Sequence, residues 1–291
     1  MIEQQPSRTA FAAAAHRAVH QVLEKGKIFS DPMALRILDM TEADVRAHPP
    51  EASRRPMRLF IAARARFAEE KLAEGIERRG VTQLVVLGAG LDTFAYRSPL
   101  AAQLRIFEVD FPATQAWKKR RLEEAGIAAP DNLIYAPVDF EKDRLLDRLV
   151  EAGFDPQQRS FFLWLGVVPY LTREAILATL SVIGALPGGA EVAFDYSNPV
   201  DSRSLSPEAL AAVEARQARV AAMGEPFLSF FEAEDLHADL EAVGLAGIDD
   251  LGPREIIGRL VAPHAAPANP AILNNIPERG GHMVHAMTAQ S

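Results

Sequence analysis

Cysteine is absent from the 291 residues, which excludes a disulfide framework, a thiolate nucleophile and a cysteine-ligated metal site. No apolar run approaches the ~18 residues of a membrane-spanning helix, so no membrane association is expected. The N-terminal alanines are interrupted by His16, Arg17 and His20, which breaks the apolar core that a signal peptide needs and predicts a cytoplasmic location. A basic excess is also missing. Lys and Arg number 31 against 39 Asp and Glu, a net charge of −8, which argues against nucleic acid or an anionic membrane surface as partner. No Gly-x-Ser-x-Gly elbow occurs, so a serine-hydrolase arrangement has no support. The seven histidines lack metal spacing: His282 and His285, three apart on an expected strand, point to opposite faces, and His16 and His20 share a helix face without a third ligand. What is present is a 48% hydrophobic composition, ample for a large α/β core.

The first eighty residues read as helical. Residues 7–26 form an alanine-rich helix, Asp31-Pro32 opens a short one over Met33–Met40, and His48-Pro49-Pro50 breaks the chain before a long helix over Pro56–Arg79. From Gln83 strands and helices alternate. Strands are expected at Leu84–Leu87, Leu104–Val109, Leu133–Tyr135, Ser160–Leu165, Ala190–Asp195, Leu245–Asp250 and His282–Met287, and Ser160–Leu165 and Ala190–Asp195 are the nearly continuous apolar runs of strands covered on both faces. The organisation predicted is a helical cap over residues 1–80 and an α/β domain over residues 81–291. An insertion at 197–232 leaves from the carboxyl end of a central strand, where open sheets bind ligands.

The run Leu84-Val85-Val86-Leu87 ends in Gly88-Ala89-Gly90, a strand turning sharply at a point where a ligand can approach the backbone. The helix after it is expected to offer its N–H groups to that ligand, capped by Asp92 or Thr93. Thr93 stands where the dinucleotide fingerprint has a third glycine, which weighs against pyrophosphate. Asp110 follows Gly90 by twenty residues at the end of the next apolar run, the position of a carboxylate that accepts ribose hydroxyls.

Gly88-Ala89-Gly90-Leu91-Asp92-Thr93, Phe107-Glu108-Val109-Asp110-Phe111-Pro112 and Val138-Asp139-Phe140 resemble successive motifs of the leucine carboxyl methyltransferase-like family of class I S-adenosylmethionine-dependent O-methyltransferases. The resemblance extends upstream through Phe29-Ser30-Asp31-Pro32 and Ala63-Arg64-Ala65-Arg66. Downstream it runs through Leu165-Gly166-Val167-Val168-Pro169-Tyr170-Leu171 and fades over the last thirty or so residues. It implies a Rossmann-like, seven-stranded, mostly parallel sheet in the order 3-2-1-4-5-7-6 with the last strand antiparallel. It also implies S-adenosylmethionine as cofactor, Arg64 on the methionine carboxylate, Asp110 on the ribose, Asp139 on the adenine amino group and Phe140 packed on the ring. Arg66 is the rival to Arg64, and Arg17 resembles a further basic residue near the cofactor carboxylate, with a surface arginine as its alternative.

Glu108 reads as a supporting carboxylate or a strand-end acid, and Asp139 has the alternative role of capping a helix that begins at Glu141. The family commonly carries a glutamate where this chain has Leu165, which removes a candidate base. Trp164 reads as aromatic packing or core. Tyr170, Tyr196, Phe227 and Phe230 are the candidate walls of a pocket for a small-molecule acceptor. A carboxylate acceptor is ionised at neutral pH and needs no general base, so the loss at Leu165 tilts the expectation toward carboxyl methylation. The alternatives are a nicotinamide-dependent oxidoreductase and a non-catalytic cofactor-binding protein.

Overall fold

A computed structural model of the chain describes residues 7–139, 143–201, 206–222, 224–264, 276 and 279–289. Helix α1 (Arg8–Leu23) is capped by Ser7, whose hydroxyl accepts from the Ala10 amide, and α2 (Pro32–Ile37) by Asp31, which accepts from Ala34. The helix α3 (Glu42–Ala47) was not expected from periodicity; Thr41 and Asp44 close a reciprocal capping box around it. The long α4 (Arg55–Arg79) stops at Gly80, whose left-handed φ of 72° ends the helix.

Seven strands follow: β1 (Gln83–Leu87), β2 (Arg105–Asp110), β3 (Leu133–Pro137), β4 (Ser160–Trp164), β5 (Ala190–Ser197), β6 (Leu245–Leu251) and β7 (Gly281–Thr288). They form one sheet in the order β3-β2-β1-β4-β5-β7-β6, with β7 antiparallel to both neighbours, as the resemblance implied. Most strands run a residue or two beyond the expected bounds. The helices between them are α5 (Phe94–Arg97), α6 (Pro112–Glu124), α7 (Leu145–Glu151), α8 (Arg173–Gly184), α9 (Pro207–Ala222) and α10 (Ala233–Ala242). After β6 the chain makes a single helical turn, Pro253–Glu255, that runs into a π-helix, Ile256–Val261.

Apolar residues on both faces make this a three-layer structure. Val85, Phe107, Phe162, Trp164 and Val192 pack with Leu180 of α8 and Leu236 and Leu240 of α10 on one face. Leu84, Val86, Ile106, Phe161 and Leu163 pack with Ala68 and Leu72 of α4 on the other. Burying such side chains removes apolar surface from water at roughly 25 cal/mol per Å², and the parallel strands are covered on both sides. The order reverses between β1 and β4, so the loops after these strands diverge and leave a crevice at the carboxyl edge.

Candidate active site

The two glycines after β1 are required by close approaches. Gly88 has φ 63°, and a Cβ there would stand 2.4 Å from Val167 Cγ2 in the loop after β4; Gly90 has φ 44°, and its Cβ would stand 2.8 Å from Ala10 Cβ on α1. The first turn of α1 therefore lies directly over the turn. The helix expected after the turn is cut to the four residues of α5, Phe94–Arg97, before Pro99 redirects the chain. Asp92, rather than Thr93, supplies the cap, accepting from the Phe94 amide at 2.8 Å. The Thr93 hydroxyl instead donates to Asp31 Oδ2 at 2.8 Å and accepts from Arg97 Nε at 3.0 Å.

That contact belongs to a buried clamp that the sequence did not reveal. Arg17 donates to Asp31 Oδ2 at 2.8 Å and to the Leu91 carbonyl at 2.7 Å, and Arg97 pairs with Glu69 while lying 4.4 Å from the Phe29 ring centroid. The surface reading of Arg17 is thereby corrected, since its side chain is 10% exposed and fixes the glycine turn to the helical layer. Burial opposes the charge of Asp31, but the guanidiniums of Arg17 and Arg97 and the hydrogen bonds from Arg17 and Thr93 outweigh it and hold its carboxyl below the usual range.

Asp110 ends β2 beside the turn. Its Oδ2 accepts from the Gly90 amide at 2.5 Å and its Oδ1 from the Phe111 amide at 2.7 Å, which orients both oxygens while leaving each a lone pair. Burial raises its pKa, and those two amides and Lys118 act against the rise. Glu108 is no strand-end acid. It is fully buried with Lys118 Nζ 2.7 Å from its Oε2, although the pair is not aligned as a hydrogen bond, and burial pushes it up to about 7. The Asp143 amide donates to the Asp139 carbonyl at 2.7 Å, and α7 begins after Arg144; the capping role of Asp139 toward Glu141 lies outside the described residues. Phe140 lies outside the described residues.

Arg64 reaches from α4 to the ends of β4 and β5, where Nη1 donates to Asp195 Oδ2 at 2.9 Å. A Cβ on Gly166 would meet that guanidinium at 2.7 Å. Arg66 points elsewhere, donating to Glu70 and the Ile28 carbonyl and lying 2.6 Å from His264. His16, half-buried on α1, is lowered to about 4 by burial and by Arg58, Arg54 and Arg64, so it is neutral at physiological pH. Leu165 packs partly buried against the core face and leaves the end of β4 without an acid.

The 197–232 segment returns to the loop after β4. Leu228 and Ser229 amides donate to the Pro169 carbonyl, and Phe227 stacks on Tyr170 with centroids 5.4 Å apart. Phe227 and Phe230 join Ala218, Ala221 and Pro226 in a groove of about 380 Å³ with Glu214 and Gln217 at its polar end. Tyr196 does not join it: the ring is buried in the sheet core and its hydroxyl donates to Asp250 at 2.6 Å. Trp164 is likewise fully buried core. Glu225 accepts from the Thr9 amide at 3.2 Å, which links this segment to α1.

The sequence pattern of the leucine carboxyl methyltransferase family matches residues 10–184, more than half of the chain. The chain belongs to that family. It is 37% identical over 196 residues to YktD of Bacillus subtilis (strain 168), provisionally named an S-adenosyl-L-methionine-dependent methyltransferase; the match covers 67% of this chain and 63% of YktD. A Mycolicibacterium smegmatis protein of the same provisional name is 31% identical over 187 residues, covering 64% of this chain and 55% of its own length. The chain thus spans less than two thirds of these relatives. Among solved structures, one from Thermobifida fusca YX, provisionally titled a methyltransferase, superposes with a TM-score of 0.55 at 16% identity, covering 94% of each chain. A duf574 family protein from Streptomyces avermitilis does so at 0.53 and 14% identity, covering 94% of this chain and 97% of its own. These likenesses support the Rossmann-like methyltransferase fold. Among the described residues no helix is long and apolar enough to cross a membrane, and no cluster of acidic or histidine side chains could hold a metal ion.

Proposed function

We propose that the protein is an S-adenosylmethionine-dependent O-methyltransferase acting on a small molecule, with a carboxylate as the preferred acceptor. The observation that carries this reading is the oriented, lone-pair-bearing carboxylate of Asp110 beside a turn where neither Gly88 nor Gly90 tolerates a Cβ. These residues suit a nucleoside ligand: Asp110 holds the ribose diol, Asp139 lies at the end of β3 for the adenine edge, and Arg64 meets the amino-acid carboxylate. The cofactor, when bound, supplies an activated methyl group on a sulfonium. The chain's part is to orient the acceptor oxygen in line and exclude water.

One feature favours a carboxylate: Leu165 leaves the end of β4 without a base, and an acceptor that is already an anion needs none. The groove walled by Phe227 and Phe230 suits the acceptor's apolar body. Purified protein incubated with methyl-labelled cofactor and a metabolite extract tests this. A labelled product that releases methanol in mild alkali is the expected ester; an alkali-stable methyl ether would reassign the acceptor to a hydroxyl, and binding of reduced nicotinamide in place of S-adenosylhomocysteine would replace the reading with an oxidoreductase.

A further inference from the structure

Asp195 lies two residues before the end of β5 with its side chain 7% exposed, and each of its side-chain oxygens has a defined partner. Oδ2 accepts from Arg64 Nη1 at 2.9 Å, and Oδ1 accepts from the Gly166 amide at 2.6 Å. One carboxylate therefore ties together the long helix α4 and the turn after β4, whose sequence neighbour Val167 packs over Gly88. Among the described residues that is the sole hydrogen bond of the Arg64 guanidinium, and its other donors are not sealed from solvent although the residue is 8% exposed. A guanidinium anchored at one nitrogen and open at the others is pre-organised to present a planar fork to an anion.

We infer that Asp195 is a positioning residue for the cofactor's amino-acid carboxylate, acting through Arg64 while holding the Gly166 turn in place. This rests on the proposed cofactor. It assigns Asp195 a role apart from chemistry: without its charge the guanidinium loses the partner that fixes its rotamer, and the fork is no longer held toward the crevice.

Two ligands separate this from a structural role. S-adenosylhomocysteine carries the amino-acid end, and 5′-methylthioadenosine keeps the adenosine and thioether but lacks it. In Asp195→Asn, which retains an acceptor for the Gly166 amide, the dissociation constant for S-adenosylhomocysteine should rise about tenfold, the scale of one charge-assisted contact, with 5′-methylthioadenosine changed less than about twofold. Asp195→Glu should recover part of the loss, and adding Asp195→Asn to Arg64→Ala should weaken S-adenosylhomocysteine no further, because the two act as a unit. Because the ratio of the two constants is independent of the folded fraction, it remains informative if a variant is unstable. Equal losses for both ligands, or losses that add fully in the double variant, would overturn the assignment while leaving the cofactor reading intact. Failure of the wild-type protein to bind either ligand would remove the cofactor reading and this assignment with it.

Discussion

Strand β5 carries two buried carboxylates on the same face, four residues apart, and the contrast between them separates structure from site. At the amino end, Glu191 is saturated: Arg79 meets both oxygens at 2.7 and 2.8 Å, His285 Nε2 lies 3.0 Å away and Arg159 Nε 3.4 Å. At the carboxyl end, Asp195 has one arginine, and that arginine keeps donors to spare. A saturated buried cluster has no capacity left for a ligand and serves to fasten α4 to β5 and β7 of the sheet. An arginine anchored at one nitrogen has capacity, and it stands at the carboxyl ends of β4 and β5.

The largest effect should come from breaking the saturated end. Glu191→Gln strands buried guanidinium charge and should cost roughly 3–5 kcal/mol of stability by urea unfolding, with little change in S-adenosylhomocysteine affinity for the folded fraction. Burial opposes the Glu191 charge, but hydrogen bonds from His285 and Arg79 hold its pKa at about 2, below the ordinary 4.5. Its contribution is therefore complete above pH 4.5 and is lost as the pH falls from there toward 2. An acid-unfolding midpoint unchanged in Glu191→Gln would show that the cluster carries no such weight.

The open end should respond in the opposite sense. Arg64→Ala should weaken S-adenosylhomocysteine by roughly 2–4 kcal/mol while leaving adenosine nearly unaffected, and Arg64→Lys should recover only part. Should Arg66→Ala show the ligand-selective loss instead, the roles of the two arginines are exchanged, against their observed directions. Asp110→Ala should follow at roughly 1.5–3 kcal/mol for S-adenosylhomocysteine and adenosine alike, since both carry the ribose. The smallest effect belongs to Tyr196→Phe, which removes one hydrogen bond to Asp250 and should cost about 1 kcal/mol of stability without touching cofactor affinity. A selective loss of acceptor turnover in that variant would restore Tyr196 to the pocket.

Local pattern was the legible part. All seven strands were expected near where they stand, and Gly88, Gly90 and Asp110 are readable because their spacing along the chain is their spacing across one β-α-β unit. The short α3 escaped because six residues give too little periodicity, although its Thr41–Asp44 box was there to be read. The clamp of Arg17, Asp31, Glu69, Thr93 and Arg97 joins residues up to 80 positions apart, and Asp195 lies 131 positions from Arg64; such pairings exist only once the sheet order is known. Tyr196 was misplaced because alternation along β5 sends it to the face opposite Asp195, into the core.

Calorimetric titration of the wild-type protein with S-adenosylhomocysteine and, separately, with NAD tests the central claim most directly. Saturable one-site binding of S-adenosylhomocysteine with no heat from NAD is the predicted result. Silence with S-adenosylhomocysteine alongside clear binding of NAD would contradict it.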